Sequence, residues 1–336
     1  MPMQPEKFVE SSDLDQVFSL PADKAWQALF DLLWTRFSPP LRPDIADAQT
    51  TERDRACAKL DNLLSGSAWE LWQKYESSAP RTSEVLKKFW GKHTSGKAIL
   101  ILDALSLREL PWLLEQAGER GYSIHKQAVT GSEIPGNTTP FAKALGFGQR
   151  SSLVNNSGKS SDFPGAFTEV SDLPFADCAA LIKADPNIIF WHEWPDSEMH
   201  ELADDNGYRK LAKSAASRLR SDDFWALIEK LATGRRLVIT ADHGYAHSGL
   251  FPDVTHREQS DYLKSSFKSG RAAQVAPGDK PHYWVPPLTQ IVESQHGRWE
   301  LVLGRRKWKS QGGYPSLTHG GLSLLEVAVP YIEISR

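Results

Sequence analysis

Two apolar periodicities follow one another along the chain. In residues 1–95 the period is helical. After a polar, extended lead-in over residues 1–20, Trp26, Leu29, Phe30, Leu33, Trp34 and Phe37 recur at i, i+3, i+4, i+7, i+8 and i+11, which makes one broad helix face. Asp23 is placed to cap this helix and Pro39-Pro40 to stop it. A charged stretch from Thr50 to Leu64 sets Cys57, Leu60 and Leu64 on one side and ends at Ser65-Gly66-Ser67. Further helical patterns cover 68–76 and 83–91, around Trp69, Trp72, Leu86, Phe89 and Trp90. Residues 1–95 therefore predict a small helical module. Its aromatic faces are expected to pack on the following domain, with capture of a protein partner as the other use of such a surface.

Past His93-Thr94-Ser95-Gly96-Lys97 the pattern changes to short strand-like segments at 98–103, 122–129, 187–192, 236–241 and 324–335, those at 98–102, 188–191 and 237–239 continuously apolar. Runs apolar at every position suit strands buried on both faces. Between them lie helical patterns at 106–118, 139–146, 175–184, 206–219 and 221–232. The alternation predicts an α/β domain over 96–336, with a mostly parallel sheet and helices on both faces. Residues 147–166, rich in Ser, Asn and Gly, read as a loop. Residues 250–283 read as an irregular excursion, either over the active-site edge or as plain surface. Residues 283–308 return to a strand-like pattern, with Arg298–Trp308 as an edge hairpin strand.

The strand ends carry the chemistry. Ala98–Leu102 runs into Asp103, and Leu237–Ala241 into Asp242-His243-Gly244. Asn187–Trp191 leads to Asp196 and His200, whose four-residue spacing puts both on one face of a helical turn. His319-Gly320-Gly321 precedes the last strand, and Ile134-Pro135-Gly136-Asn137-Thr138-Thr139-Pro140 supplies hydroxyls after the second. Open α/β sheets build their sites at the C-terminal ends of strands, and carboxylate with imidazole is a metal-ligating combination. Taken singly, each residue is as well explained as a helix cap or a solvated histidine. The ordered set is what points to a metal site.

In these residues the chain resembles the alkaline phosphatase superfamily. The order is a strand-end Asp, Pro-x-x-Thr, Asp-x-x-x-His, Asp-His-Gly and a late His-Gly. Within that superfamily it is most similar to the PglZ domain, in Leu100-Ile101-Leu102-Asp103-Ala104-Leu105 and in Thr318-His319-Gly320-Gly321-Leu322-Ser323 with Glu326 and Val329-Pro330. The likeness covers about residues 96–336. It implies two divalent metal ions, zinc or manganese, with Asp103, Asp242 and His243 holding one and Asp196, His200 and His319 the other. It implies Thr138 as the nucleophile, with Thr139 the neighbour left open, and a helix start behind it offering N–H groups to phosphate. The activity implied is a phosphodiesterase on a nucleotide or oligonucleotide, in phage defence or signalling. A phosphomonoesterase, with Arg150, Arg271, Arg305 or Arg306 meeting the extra anionic oxygen, is the alternative enzyme. A non-catalytic interaction subunit of a defence complex is the alternative outside enzymes. His192, Glu193 and His247 flank the motifs as supporting groups.

Composition narrows this. Lys and Arg number 39 against 42 Asp and Glu, a net charge of −3, so nucleic acid would have to be met by a local patch. The two cysteines, Cys57 and Cys178, lie outside every motif and form no disulfide framework. With no apolar run of membrane-spanning length and no leader-like N-terminus, the expectation is a cytoplasmic protein without a membrane contact. There are 12 tryptophans. Core anchoring is their default use; Trp191, Trp194, Trp284 and Trp308 are the candidates for stacking on a base.

Overall fold

Successive residues of a strand face opposite ways, so a strand apolar at every position needs cover on both sides. The computed structural model, which describes residues 17–92, 96–202, 206–276, 278, 282–311 and 313–336, supplies that cover. Lys97–Leu102 (β1) is buried along its whole length. It pairs in parallel with Asn187–His192 (β4) on one side and Arg236–Thr240 (β5) on the other. Phe167–Ser171 (β3) adds to β4 in parallel. The last strand, Ala328–Ser335 (β11), runs antiparallel between β5 and Ser123–Gly131 (β2). The order is β2-β11-β5-β1-β4-β3, with β11 alone reversed.

Leu100, Leu102, Ile188, Phe190, Leu237 and Ile239 point to one face, under helices Ala22–Phe37, Leu110–Glu119 and Asp222–Ala232. Ile99, Ile101, Ile189, Trp191 and Val238 point to the other, under Thr82–Lys92 and Thr138–Ala144. The mostly parallel sheet covered on both faces is thus the architecture expected from the alternation of patterns.

The N-terminal helices share the core of the sheet. Trp26, Leu29, Phe30 and Leu33 belong to the same buried cluster as Leu100 and Phe190. Trp26 meets Trp72 and Tyr75 edge-on, with centroids at 4.9 and 4.8 Å, and the Tyr75 hydroxyl donates to the Ser132 carbonyl at 2.9 Å. Residues 1–16 of the lead-in expected over 1–20, and 93–95 of the boundary expected at 93–97, lie outside the described residues.

Helix Ala46–Gly66 also presents two buried aspartates to the domain, which its charged sequence had hidden. Asp54 Oδ2 accepts from Arg108 Nη2 at 2.6 Å and Nε at 3.2 Å. Arg305 donates to Asp61 Oδ2 at 2.6 Å and pairs with Asp54 Oδ1. Asp61 Oδ1 accepts the Leu324 N–H at 2.7 Å, and Arg108 Nη1 reaches the Tyr245 carbonyl at 2.6 Å. One helix therefore ties down the loop after β1, the turn after Asp242-His243-Gly244 and the segment after His319.

Several expectations are corrected. Residues 250–283 are not wholly irregular: Arg257–Phe267 is a helix that buries Leu263 and Phe267. Its apolar positions are too few for the periodicity to stand out. Strand β3 falls between the loop expected over 147–166 and the helix expected over 175–184, where no element is expected, because Phe167-Thr168-Glu169-Val170-Ser171 is short and half polar. The segment Arg298–Trp308 is not an edge strand. Gly297–Val302 (β9) is the middle of a small antiparallel sheet, between Ala272–Gln274 (β7) and Thr289–Ser294 (β8); beyond Val302 only isolated bridges follow, Leu303 with Leu322 and Lys307 with Asp253. Leu324–Val327 is a helical turn ahead of β11.

Replacing Asp54 with Ala leaves Arg108 and Arg305 buried without that partner. It should destabilise the chain by roughly 3–5 kcal/mol, the usual cost of breaking a buried pair, read as a lower urea midpoint. An unchanged midpoint would show that the network contributes nothing.

Candidate metal centre

The strands β5, β1 and β4 are neighbours, so their C-terminal ends deliver three motifs to one place. Asp103 follows β1 directly. Its N–H donates to His192 O at 3.0 Å and its carbonyl accepts the Asp196 N–H at 3.0 Å, which ties the ends of β1 and β4 together. The next residue, Ala104, takes a left-handed φ of 61°, uncommon for a residue with a side chain. That turn aims its N–H at Asp242 Oδ1, 3.0 Å away. His319 arrives by a different route. Leu317–Thr318 (β10) pairs antiparallel with Ala246–His247 (β6), which lays the late His-Gly against Asp-His-Gly. The His243 and His319 rings stack at 4.3 Å.

The donor atoms converge. His243 Nδ1 lies 3.0 Å from Gly244 O, an acceptor, so Nδ1 donates there and Nε2 is the ring nitrogen turned toward the carboxylates. That atom is 3.6 Å from Asp103 Oδ1 and 3.5 Å from Asp242 Oδ2. His319 is set the same way: Nδ1 is 3.1 Å from Gly136 O, and Nε2 faces Asp196 Oδ1 at 3.8 Å. Asp242 Oδ2, His243 Nε2 and Asp196 Oδ1 are buried with no hydrogen-bond partner among the described residues. Acceptors facing acceptors in a low-dielectric interior are unfavourable unless a proton or a metal cation lies between them. The donor set therefore fits a divalent ion.

Two groups of three have ligand atoms within 4.8 Å of one another: Asp103, Asp242 and His243, and Asp196, His243 and His319. With Nδ1 engaged, His243 has one lone pair and can serve only one of them. His200 stands beside the second, its Nε2 at 3.3 Å from Asp196 Oδ2, on a side chain 64% exposed. Thr138 Oγ1 is 3.4 Å from both oxygens of Asp103, whereas Thr139 is exposed and makes no hydrogen bond among the described residues. Arg150 pairs with Asp103 Oδ2 and holds Glu193 at 3.0 Å. A cleft of about 290 Å³ opens here between Asn137, His200, Gly270, Arg271, Thr318 and His319, so the 250–283 excursion does border the site.

Other candidates go elsewhere. Trp191, Trp194 and Trp308 are buried and offer no face to a base. Arg271 and Arg305 are consumed by buried partners, Glu326 and the Asp54–Asp61 pair. His192 is held between Leu173 O and the Trp194 N–H, and His247 stacks on Tyr208. Unforeseen was the brace on the His-Gly-Gly turn: Glu326 Oε1 accepts both Gly321 N at 3.0 Å and Arg271 Nε at 2.6 Å. Gly244 is required by space rather than by φ, since a Cβ there would lie 2.4 Å from Leu325 O.

No family model matches the sequence, and no curated protein does. Some solved structures share its chain path. Murine ectonucleotide pyrophosphatase/phosphodiesterase 5 is 14% identical, with 71% of this chain and 87% of that chain covered and a TM-score of 0.46. Phosphonoacetate hydrolase from Sinorhizobium meliloti is 13% identical, with 71% and 89% covered and a TM-score of 0.39. Both likenesses are loose, and the chemistry of the site rests on its own geometry.

Burial sets the protonation of the cluster. It pushes Asp242 up to about 7, with the Asp196 charge adding to it. It also raises Asp103 well above the ordinary carboxylate range, with Asp242 adding to it. Burial works against ionisation of Asp196 too, but the His200 hydrogen bond and the nearby His319 and His243 hold it down at about 2. His319 is depressed to about 3 by burial and by His243. Because the folded pKa of Asp242 lies above its unfolded value, its stabilising contribution is complete at low pH and lost as pH rises through about 7. Asp242→Asn should therefore melt higher than wild type at pH 8 in metal-free buffer, by a margin that shrinks steadily as pH falls from about 7 toward about 4. Identical melting temperatures at pH 8 would remove the buried-charge account.

Proposed function

We propose that this chain is a divalent-metal-dependent phosphoester hydrolase, with phosphodiesters as its first substrate class. The observation that carries the reading is the set of buried atoms without a hydrogen-bond partner among the described residues, Asp242 Oδ2, His243 Nε2 and Asp196 Oδ1, gathered beside the Thr138–Asp103 pair. Asp103, Asp242 and His243 would hold one ion, and Asp196, His319 and His200 the other. Bound there, such ions supply Lewis-acid stabilisation of the charge that builds on the oxygens of an in-line displacement.

The remaining work falls to the chain. Thr138 Oγ1 is the nucleophile, at the first turn of helix Thr138–Ala144, and Asp103 is the nearest acceptor for its proton. Attack on the phosphorus of a diester expels one ester oxygen on the far side as an alcohol and leaves the phosphoryl group, still carrying its other ester, on Thr138; water then displaces it, releasing a phosphomonoester and restoring the hydroxyl. The rigid strand ends fix Asp103 and Asp242, and the Glu326 brace fixes the turn that carries His319.

Arg150 bears on substrate class. Its guanidinium is already shared between Asp103 and Glu193, which suits a diester, whose phosphoryl group carries one anionic charge. Its place beside Thr138's partner favours a second reading, a phosphomonoesterase in which Arg150 turns to the additional oxygen. A nucleotide or oligonucleotide substrate and a setting in phage defence or signalling are carried by the sequence resemblance to PglZ domains.

Metal-stripped protein resupplied with zinc or manganese should cleave bis-(p-nitrophenyl) phosphate faster than p-nitrophenyl phosphate. The opposite order promotes the monoesterase, and no turnover with ions bound promotes an interaction subunit. Thr138→Ala should keep its metal and lose on the order of 10³-fold or more in turnover, as removal of a nucleophile does. If Thr139→Ala does so instead, the nucleophile moves by one residue.

A further inference from the structure

Asp103 is held from one side, and the holder has no metal-binding chemistry of its own. Trp191 lies on β4 opposite Ile101, two residues before Asp103. Its Nε1 is 3.2 Å from Asp103 Oδ2, and the side chain is fully buried. An indole N–H only donates, so it can neither ligate an ion nor accept a proton; it can only choose which carboxylate oxygen it occupies. Arg150 pairs with that same oxygen. Oδ1 is left facing His243 Nε2 at 3.6 Å.

We infer that Trp191 is a positioning residue, whose indole N–H fixes the Asp103 carboxylate so that Oδ1 alone is presented to the ligand cluster. The inference rests on the metal reading above. The Thr138 hydroxyl lies 3.4 Å from both carboxylate oxygens and favours neither; of the two nitrogen donors on Oδ2, Arg150 is free to leave, its side chain being 24% exposed with Glu193 as an alternative partner. Trp191 is not. Phe141 packs edge-on against its ring at 5.6 Å and 84°, and Ile99, Ile101 and Ile189 complete the cluster around it. Phe141 belongs to the helix that begins at Thr138. One indole therefore sets the carboxylate through its N–H and supports the nucleophile's helix through its ring. Groups that orient a ligand in this way usually tune affinity.

The N–H separates this role from plain core filling. Trp191→Phe keeps an aromatic ring in the cluster and removes the donor. Measured by chelator competition on the metal-free protein, its zinc affinity should fall about 10- to 100-fold, the usual effect of losing a group that orients a ligand, while Ile189→Val in the same cluster leaves affinity unchanged. Equal affinity in Trp191→Phe and wild type, or equal losses in both variants, would overturn the inference. Should Trp191→Phe fail to fold, the wild-type protein decides, through the 12 indole N–H resonances of a ¹⁵N-tryptophan sample. One of them should move on adding zinc, and the same one should move in Asp103→Ala. No such shared resonance overturns the inference. A wild type that binds no divalent ion is a different result: it removes the metal reading and, with it, what rests on that reading.

Discussion

Acceptor atoms turned toward one another in a dry interior are what the rest of this molecule is arranged to hold. Asp103, Asp242 and Asp196 sit at or just past the ends of three adjacent strands, and two imidazoles add lone pairs to the same space. Carboxylates left in water would separate. Here the backbone forbids it, because each side chain is launched from a buried strand or from a turn bonded to its neighbour. The left-handed turn at Ala104 is a local cost accepted to keep these groups together, and the hydrogen bonds joining Asp103 to the end of β4 and to Asp196 help to offset it.

Support for this cluster comes from outside the sheet. Asp54 and Asp61, on a helix far away in sequence, are bonded to Arg108, Arg305 and Leu324, and so brace the loops that carry Tyr245 and the segment beyond His319. The Arg271–Glu326 pair does the same for the His-Gly-Gly turn. Such buried pairs add little net stability against apolar substitutes, but they define where the loops lie. The N-terminal helices thus act on the site through its supports as well as through the core they share with the sheet.

Much of this was legible in the residues. The helical face of Trp26, Leu29, Phe30 and Leu33 and the apolar runs behind Asp103 and Asp242 needed only period and burial to read. Asp103, Asp196, Asp242, His243 and His319 are brought into one neighbourhood, with His200 at its exposed rim and Thr138 rather than Thr139 turned toward Asp103. Less legible were β3, which is too short and polar to announce itself, and helix Arg257–Phe267, whose apolar face is only a few residues wide. Of the tryptophans read as possible stacking platforms, Trp191, Trp194 and Trp308 are buried and Trp284 is only half-buried, since nothing in a local pattern says which side of a strand a later helix will cover.

By itself, then, the sequence determined what depends on near neighbours: the periods of its helices and strands, the ligand types at strand ends, and the i, i+4 pairing of Asp196 with His200. Only the tertiary structure decided what depends on distant ones. The reversed strand β11, the ribbon that brings His319 to His243, the capture of Arg271 and Arg305 by buried acids, and the indole of Trp191 on Asp103 all join segments many residues apart. Such contacts arise from which surfaces meet when the core closes, and a linear pattern does not record them.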